Sequence, residues 1–320
     1  MMRRKWYILL ISLLFLATTI GCIVKFREAG DKPKVVVVLQ ELDTQYFNIV
    51  KAGAEKGFRD FDIDGKVVAP SNKSKKDVLE YTLERILNER PDVLVVSPDG
   101  SPAVMSILKE FVEHKIPVVL VDTDIPLEHK ISYIGTDNFE IGRKAGELLA
   151  SGLHPGDEVA LPFLAEDLTS PVHRERIKGA MLSLEDAGIK VMTEQVNVSN
   201  KSSTTREVMT AILQKHPNIK GVYAIDDVKS IDALAVIKEQ GLKIPVIGAD
   251  GIIKMIELVK DGTLPGTVAQ NPYDMGYISI ETALKVVKGE EVQRNIDTGV
   301  DIISKDNAKL KLDFLRGLLK

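Results

Sequence analysis

At 320 residues the chain exceeds what one hydrophobic core usually serves, so two domains are expected. A hydrophobic content of 44% with 28% charged residues describes an ordinary globular protein, and a net charge of −4 gives nucleic acid no electrostatic footprint to bind. Cys22 is the lone cysteine, which excludes an intrachain disulfide and a cysteine-built metal centre, and the five histidines contain no pair at metal-ligand spacing.

The chain opens on a segment that reads as a membrane signal or anchor. Arg3, Arg4 and Lys5 precede an apolar run from Trp6 to Val24, and Lys25 and Arg27 follow it. A basic stub ahead of an apolar core is what the secretion machinery reads, which places the bulk of the protein outside the cytoplasmic membrane. The run is long enough to remain as a spanning helix. Thr19-Ile-Gly-Cys22 also resembles a bacterial lipobox, in which the chain is cleaved before Cys22 and its thiol lipidated, although Thr19 stands where leucine is usual. By either route residues 1–31 tether the protein to the outer face of the membrane, and a polar linker from Glu28 to Lys34 leads into the fold.

Strands and helices then alternate. Val35 to Leu39 is a continuous β-branched run, read as a first buried strand, and Ile49, Ala52, Gly53, Lys56 and Gly57 follow at helical spacing. Next come a strand from Gly65 to Ala69, a helix from Val78 to Glu89, a strand from Val93 to Val96, a helix from Ala103 to His114 and a strand opening at Pro117. The pattern restarts at Tyr133 to Asp137, with a helix from Ile141 to Leu149 and a strand from Val159 to Leu164. A helix from His173 to Ala187 stops at Gly188, where glycine can take the left-handed cap. A strand from Lys190 to Glu194, a helix from Thr205 to Lys215, a strand from Gly221 to Ile225, a helix from Ser230 to Gln240 and a strand opening at Pro245 complete the repeat. The helix from Ile252 to Lys260, the strand from Gly266 to Ala269 and the helix from Met275 to Val287 close the chain, ahead of a charged tail from Lys305.

Such alternation implies right-handed parallel crossovers, and hence an α/β protein of two doubly wound parallel-sheet lobes. The first lobe is expected at 32–136 with 271–297 and the second at 137–270 with 298–320. Crossings near Thr136, Gln270 and Asn295 to Gly299 would join them as a three-stranded hinge.

Two strands echo each other: Ile116-Pro-Val-Val-Leu-Val-Asp-Thr-Asp124 and Ile244-Pro-Val-Ile-Gly-Ala-Asp-Gly251. In each, a proline opens an apolar run that ends in a carboxylate. Ligands of open α/β sheets bind outside the carboxyl ends of the strands, so Asp122 and Asp250 suggest one site built between the lobes; capping the next helix is the competing role for each. The sequence contains neither G-x-G-x-x-G nor G-x-x-x-x-G-K-[ST], which disfavours nucleotide cofactors, and no G-x-S-x-G elbow for a nucleophilic serine. No cofactor and no metal are expected. The strand ends and turns offer Asp43, Tyr46, Phe47, Ser97, Asp122, Asp124, Arg176, Asp226, Asp227, Asp250 and Gln270 instead. Carboxylates, an amide and a guanidinium bridge neighbouring hydroxyls, and an aromatic face covers the C–H side of a ring. That inventory fits a neutral sugar or polyol better than it fits catalysis.

Several motifs recur in a specific order: Asp43-Thr-Gln-Tyr-Phe47, Lys51-Ala-Gly-Ala54, Pro117 to Asp122, Gly135-Thr-Asp-Asn138, Arg174-Glu-Arg176 ahead of Gly179, Ala224-Ile-Asp-Asp227, Val246 to Gly251 and Val268-Ala-Gln-Asn-Pro272. With them the segment from about Lys34 to Asn307 resembles the ribose- and galactose-type periplasmic sugar-binding proteins, a type I periplasmic-binding-protein fold shared with the effector domains of lac-repressor-type regulators. The resemblance implies that Tyr46 and Phe47 flank the sugar ring, while Asp122, Arg176, Asp250 and Gln270 bind its hydroxyls. It puts Asp226 where relatives often carry asparagine, Ser97 where ribose-type proteins carry a polar amide, and Thr123 where they carry an arginine. Losing that planar donor puts ribose itself in doubt, with Asp43 and Asp124 as replacement contacts.

The membrane signal occupies the place where a regulator would carry its DNA-binding segment, so no nucleic acid is expected. The first functional reading is a monomeric, extracytoplasmic capture protein that closes on a sugar and delivers it to the permease of an ABC importer. The second is a sensor presenting its closed form to a membrane histidine kinase or chemoreceptor. An enzyme is disfavoured, because no nucleophile, metal cluster or general-base dyad stands out.

Overall fold

A computed structural model of the chain describes residues 32–70, 78–194 and 204–319. The apolar leader and Cys22 lie outside the described residues.

The first half builds β1 (Lys34–Val38), α1 (Gln45–Asp60), β2 (Asp64–Val68), α2 (Val78–Glu89), β3 (Val93–Val96), α3 (Pro102–Glu113), β4 (Val118–Val121) and β5 (Ser132–Gly135). Strands β3 and β4 are wholly buried valine and leucine runs, as expected of a parallel sheet covered on both faces. The second half builds α4 (Asn138–Ala150), β6 (Glu158–Ala160), α5 (Pro171–Asp186), β7 (Lys190–Met192), α6 (Thr205–Lys215), β8 (Ile219–Tyr223), α7 (Asp227–Glu239), β9 (Val246–Ile247), β10 (Ala249–Asp250), α8 (Ile253–Lys260) and β11 (Thr267–Ala269). A 3₁₀ turn over Ala165–Thr169 follows β6. The chain then adds α9 (Pro272–Val287), β12 (Asn295–Asp297), β13 (Asp301–Ile303) and α10 (Lys305–Leu318).

Strand pairing gives one six-stranded sheet in the first lobe and a four-stranded and a three-stranded sheet in the second. The six-stranded sheet runs β12-β5-β4-β3-β1-β2 with every neighbour parallel. The second lobe has the order β7-β6-β8-β9 and, beyond Gly248, a separate sheet β10-β11-β13, where only the β11–β13 pair is antiparallel. The chain therefore passes from one lobe to the other after β5, after β11 and between β12 and β13. These three passages are tied together. Thr298 donates from its amide to the Gly135 carbonyl at 2.8 Å, and Asn271 donates to the Thr298 carbonyl at 3.1 Å.

The charged tail read from the sequence is in fact helix α10. Its N-cap Ser304 and Asn307 form a reciprocal capping box, and Ala308, Leu312 and Leu315 are buried along one face. Ala308, Leu312 and Leu315 recur at helical spacing, so the dense outward charges masked an amphipathic pattern that was present. The strand expected from Val159 to Leu164 is shorter, ending at Ala160, because Pro162 follows and cannot donate to a ladder.

Each sheet is flanked by one closely packed helix pair. A Cβ on Gly53 of α1 would lie 2.0 Å from the Tyr273 carbonyl oxygen of α9, and a Cβ on Gly142 of α4 would lie 1.9 Å from the Arg176 carbonyl oxygen of α5. Glycine is required at both places by backbone approach. The second contact sets the position of a residue in the site.

Candidate ligand-binding cleft

Asp122 ends β4 with a positive φ of 68°, which lifts its side chain off the strand. Asparagine and aspartate tolerate this left-handed conformation better than other non-glycine residues. Three hydroxyls surround the carboxylate. Tyr46, from the first turn of α1, donates to Oδ1 at 2.7 Å, while Ser97 and Thr123 donate to Oδ2 at 3.2 and 3.1 Å. Behind them Gln40, just past β1, donates to the Pro98 carbonyl at 2.9 Å and to Ser97 Oγ at 3.2 Å. Burial pushes the Asp122 carboxyl above its usual range, opposed by the Tyr46, Thr123 and Ser97 hydrogen bonds and by the field of Arg176. No cation touches it among the described residues.

Asp250 holds the corresponding place at the end of β10, with φ at 110°, in territory that side chains rarely adopt. Strain of this kind persists where surrounding contacts over-determine it, and it concentrates at ligand sites. Arg176 Nη2 lies 2.9 Å from Asp250 Oδ1, and Gln270 donates to the same oxygen at 2.8 Å. Arg176 is only 3% exposed, and its other nitrogens donate to Asn138 Oδ1 at 3.0 Å and to the Ile225 carbonyl at 2.8 Å. All three contacts use the fixed fork of the guanidinium. Burial works against the charge on Arg176, yet Asp250 holds its pKa above the ordinary value. Burial likewise raises the Asp250 carboxyl, with Arg176 opposing.

Asp226 caps α7, accepting from the Lys229 amide at 2.7 Å, and its other oxygen lies 3.3 Å from Lys229 Nζ. The same ammonium lies 3.1 Å from the buried Asp167 in the 3₁₀ turn. Asp227 is fully buried and faces inward. It accepts from the Ile252 amide at 2.7 Å and from Thr267 at 3.3 Å, and Gly248 leaves room for it, since a Cβ there would lie 2.6 Å from its Oδ1. Burial raises its pKa, and its hydrogen bonds with the Ile252 amide and Thr267 brace β10 from beneath.

The two walls lie within electrostatic range of each other: the charges of Arg176 on α5 and Asp250 at the end of β10 reach Tyr46, and that of Arg176 reaches Asp122. The first lobe thus contributes a carboxylate ringed by hydroxyls, and the second a carboxylate with an amide and a guanidinium. A separate hollow lined by Glu128, His129, Lys130, Ile131, Glu290 and Arg294 lies at the amino-terminal ends of β5 and β12.

Of the residues picked from sequence, Tyr46, Ser97, Asp122 and Thr123 form one group, and Arg176, Asp226, Asp250 and Gln270 the other. Phe47 is different: it is 8% exposed and belongs to the first lobe's apolar cluster, meeting Tyr46 edge to face at 5.4 Å, so it supports the site from within the core. Asp43 is exposed on the turn before α1 and joins neither group. Asp124 is exposed and pairs with Lys130. Sequence reasoning missed Gln40, Lys229 and Asp167. Gln40 follows the first strand directly, which was a usable signal, whereas Lys229 and Asp167 meet only through tertiary contact. It also gave Tyr223 no role; its hydroxyl is buried without a hydrogen-bond partner among the described residues, within electrostatic reach of Arg176.

Residues 35–291 match the family described as the periplasmic binding protein domain. The ribose import binding protein of Salmonella typhimurium is 27% identical, covering 95% of this chain and 100% of its own. A periplasmic ribose ABC transporter protein from Conexibacter woesei superposes with a TM-score of 0.78 at 26% identity, covering 88% of this chain and 95% of its own. An ABC transporter periplasmic solute binding protein from Actinobacillus succinogenes, solved with bound D-allose, gives 0.76 at 26% identity over 87% of this chain and 100% of its own.

Proposed function

The chain belongs to the periplasmic binding protein domain family, and from that premise we propose that it captures one small sugar or polyol between its lobes and delivers it to an ABC importer. The single observation that carries this reading is the pair of strand-end aspartates, Asp122 and Asp250. Each has a positive φ and each is hydrogen-bonded by groups of its own lobe, which supports a reading in which both face one ligand. Relatives named for ribose import and a neighbour with bound D-allose support a monosaccharide-sized ligand. A carboxylate accepts from two neighbouring sugar hydroxyls, and Arg176 and Gln270 offer donors to ring or hydroxyl oxygens. Binding here needs no bond to be made or broken, which agrees with relatives that are binding components of transporters.

Thr123 supplies a short hydroxyl, already committed to Asp122, and among the described residues no planar cationic donor of the first lobe bonds that carboxylate. This separates the site from one built around an arginine, and makes the choice of sugar an open comparison among pentoses, hexoses and inositols. The family location is extracytoplasmic, and the basic and apolar leader of residues 1–31 would tether the protein to the outer face of the membrane, as a lipid anchor at Cys22 or as a retained helix.

A ligand that binds only the folded protein raises its melting temperature, by about 2.7 kcal/mol of added stability at one hundred times the dissociation constant. A thermal-shift screen of those sugars should therefore yield at least one hit with one-to-one stoichiometry by calorimetry. Silence across the whole panel at millimolar concentration would remove the sugar reading.

A further inference from the structure

Helix α8 begins without a cap of its own. Its N-cap residue is Ile252, whose side chain has no acceptor, so the first N–H groups of the helix need partners from elsewhere. One comes from within the second lobe, since Asp227 Oδ2 takes the Ile252 amide at 2.7 Å. The other comes from the first lobe: Gln45 Oε1, on the first residue of α1, accepts from the Ile253 amide at 2.8 Å. Ile49 lies one turn further along the same face of α1. It is 2% exposed and belongs to the apolar cluster formed by second-lobe residues such as Met255 and Ile256.

We propose that Gln45 and Ile49 form a latch that stabilises the closed arrangement of the lobes by protein contacts alone. When the lobes part, the Ile253 amide loses its acceptor and the Ile49 side chain loses its apolar surroundings, so both costs fall on the open state. Both contacts join protein atoms to protein atoms, so the latch acts whether or not the cleft is filled. A device that raises the closed fraction also raises apparent affinity, because a ligand then draws on a larger competent population. Gln45 is on this account a positioning residue: it acts through α8, the helix that follows Asp250, and supplies no ligand contact. The proposal deepens the capture reading by assigning its closure to named residues.

The test uses the full chain with no sugar added, so its failure is distinguishable from failure of the thermal-shift screen. Small-angle X-ray scattering of wild type is compared with Gln45→Ala, Ile49→Ala and Gln45→Glu. Losing a helix cap should lower the closed-to-open ratio about fivefold, so Gln45→Ala should show a larger radius of gyration. Ile49→Ala should move the same way. Gln45→Glu keeps an acceptor for the helix terminus and should scatter like wild type. Identical scattering by wild type and Gln45→Ala would overturn the latch, as would expansion in Gln45→Glu equal to that in Gln45→Ala.

Discussion

Asp122 and Asp250 end equivalent strands in the two lobes and share an unusual backbone conformation, but their surroundings differ. Asp122 sits among neutral hydroxyls of Tyr46, Ser97 and Thr123. Asp250 is gripped by a buried guanidinium that also ties α5 to Asn138 and to the end of β8. The first lobe therefore presents a carboxylate that the fold can spare, whereas the second has merged its candidate ligand group with its internal scaffold. If both aspartates bind the ligand as proposed, service to the ligand and service to the fold are separable on one side of the cleft and joined on the other.

The largest test of that contrast is Arg176→Ala. It leaves Asp250, the Ile225 carbonyl and Asn138 without their donor, and breaking a buried pair from one side costs about 3–5 kcal/mol. Denaturant unfolding should show a loss of that size, together with loss of sugar binding. Normal stability in this variant would mean that the second wall is as dispensable as the first.

Next come the glycines that set each helix pair. Gly142→Ala and Gly53→Ala each push a Cβ into a backbone carbonyl, at 1.9 and 2.0 Å, and overpacking of this kind costs about 1–3 kcal/mol. The stability losses should be similar. Affinity should separate them, because Gly142 abuts the Arg176 backbone itself while Gly53 lies two turns from Tyr46. Calorimetry should find the greater weakening in Gly142→Ala, and equal weakening would contradict the merged role of the second lobe.

The smallest effect on stability, and of opposite sign, is expected for Asp122→Asn. Burial holds the Asp122 carboxyl above its usual range. The folded chain then keeps that proton to higher pH than the unfolded chain, and stability falls as pH rises between the two values. Asparagine removes this loss, and the hydroxyls of Ser97 and Thr123 can accept from its amide. The variant should melt above wild type at pH 7, and the gap should close as pH falls towards the ordinary carboxylate range. Its sugar affinity should fall roughly tenfold or more, as one acceptor for ligand hydroxyls is lost. A variant less stable than wild type at neutral pH would show that Asp122, too, is structural.

Much of this was legible in the chain itself. Valine and leucine runs interrupted at helical intervals dictate parallel strands with crossover helices, because only that arrangement buries both faces of such strands. The paired Pro-to-Asp runs ending at Asp122 and Asp250 pointed to the candidate site, since ligands of open α/β sheets bind outside the carboxyl ends of the strands. Helix α10 escaped notice because its charged face outnumbers the three buried side chains that define it.

What tertiary structure alone decided is which of two neighbouring groups faces the cleft. Tyr46 and Phe47 are adjacent aromatics, yet one offers a hydroxyl to Asp122 and the other fills the core. Asp226 and Asp227 are adjacent carboxylates, yet one caps α7 beside Lys229 and the other is sealed beneath β10. Composition and spacing specify the type of group available at a strand end. The direction of each side chain depends on helix phase and on contacts between residues as distant as Gln45 and Ile253, and these exist only once the lobes have formed and met.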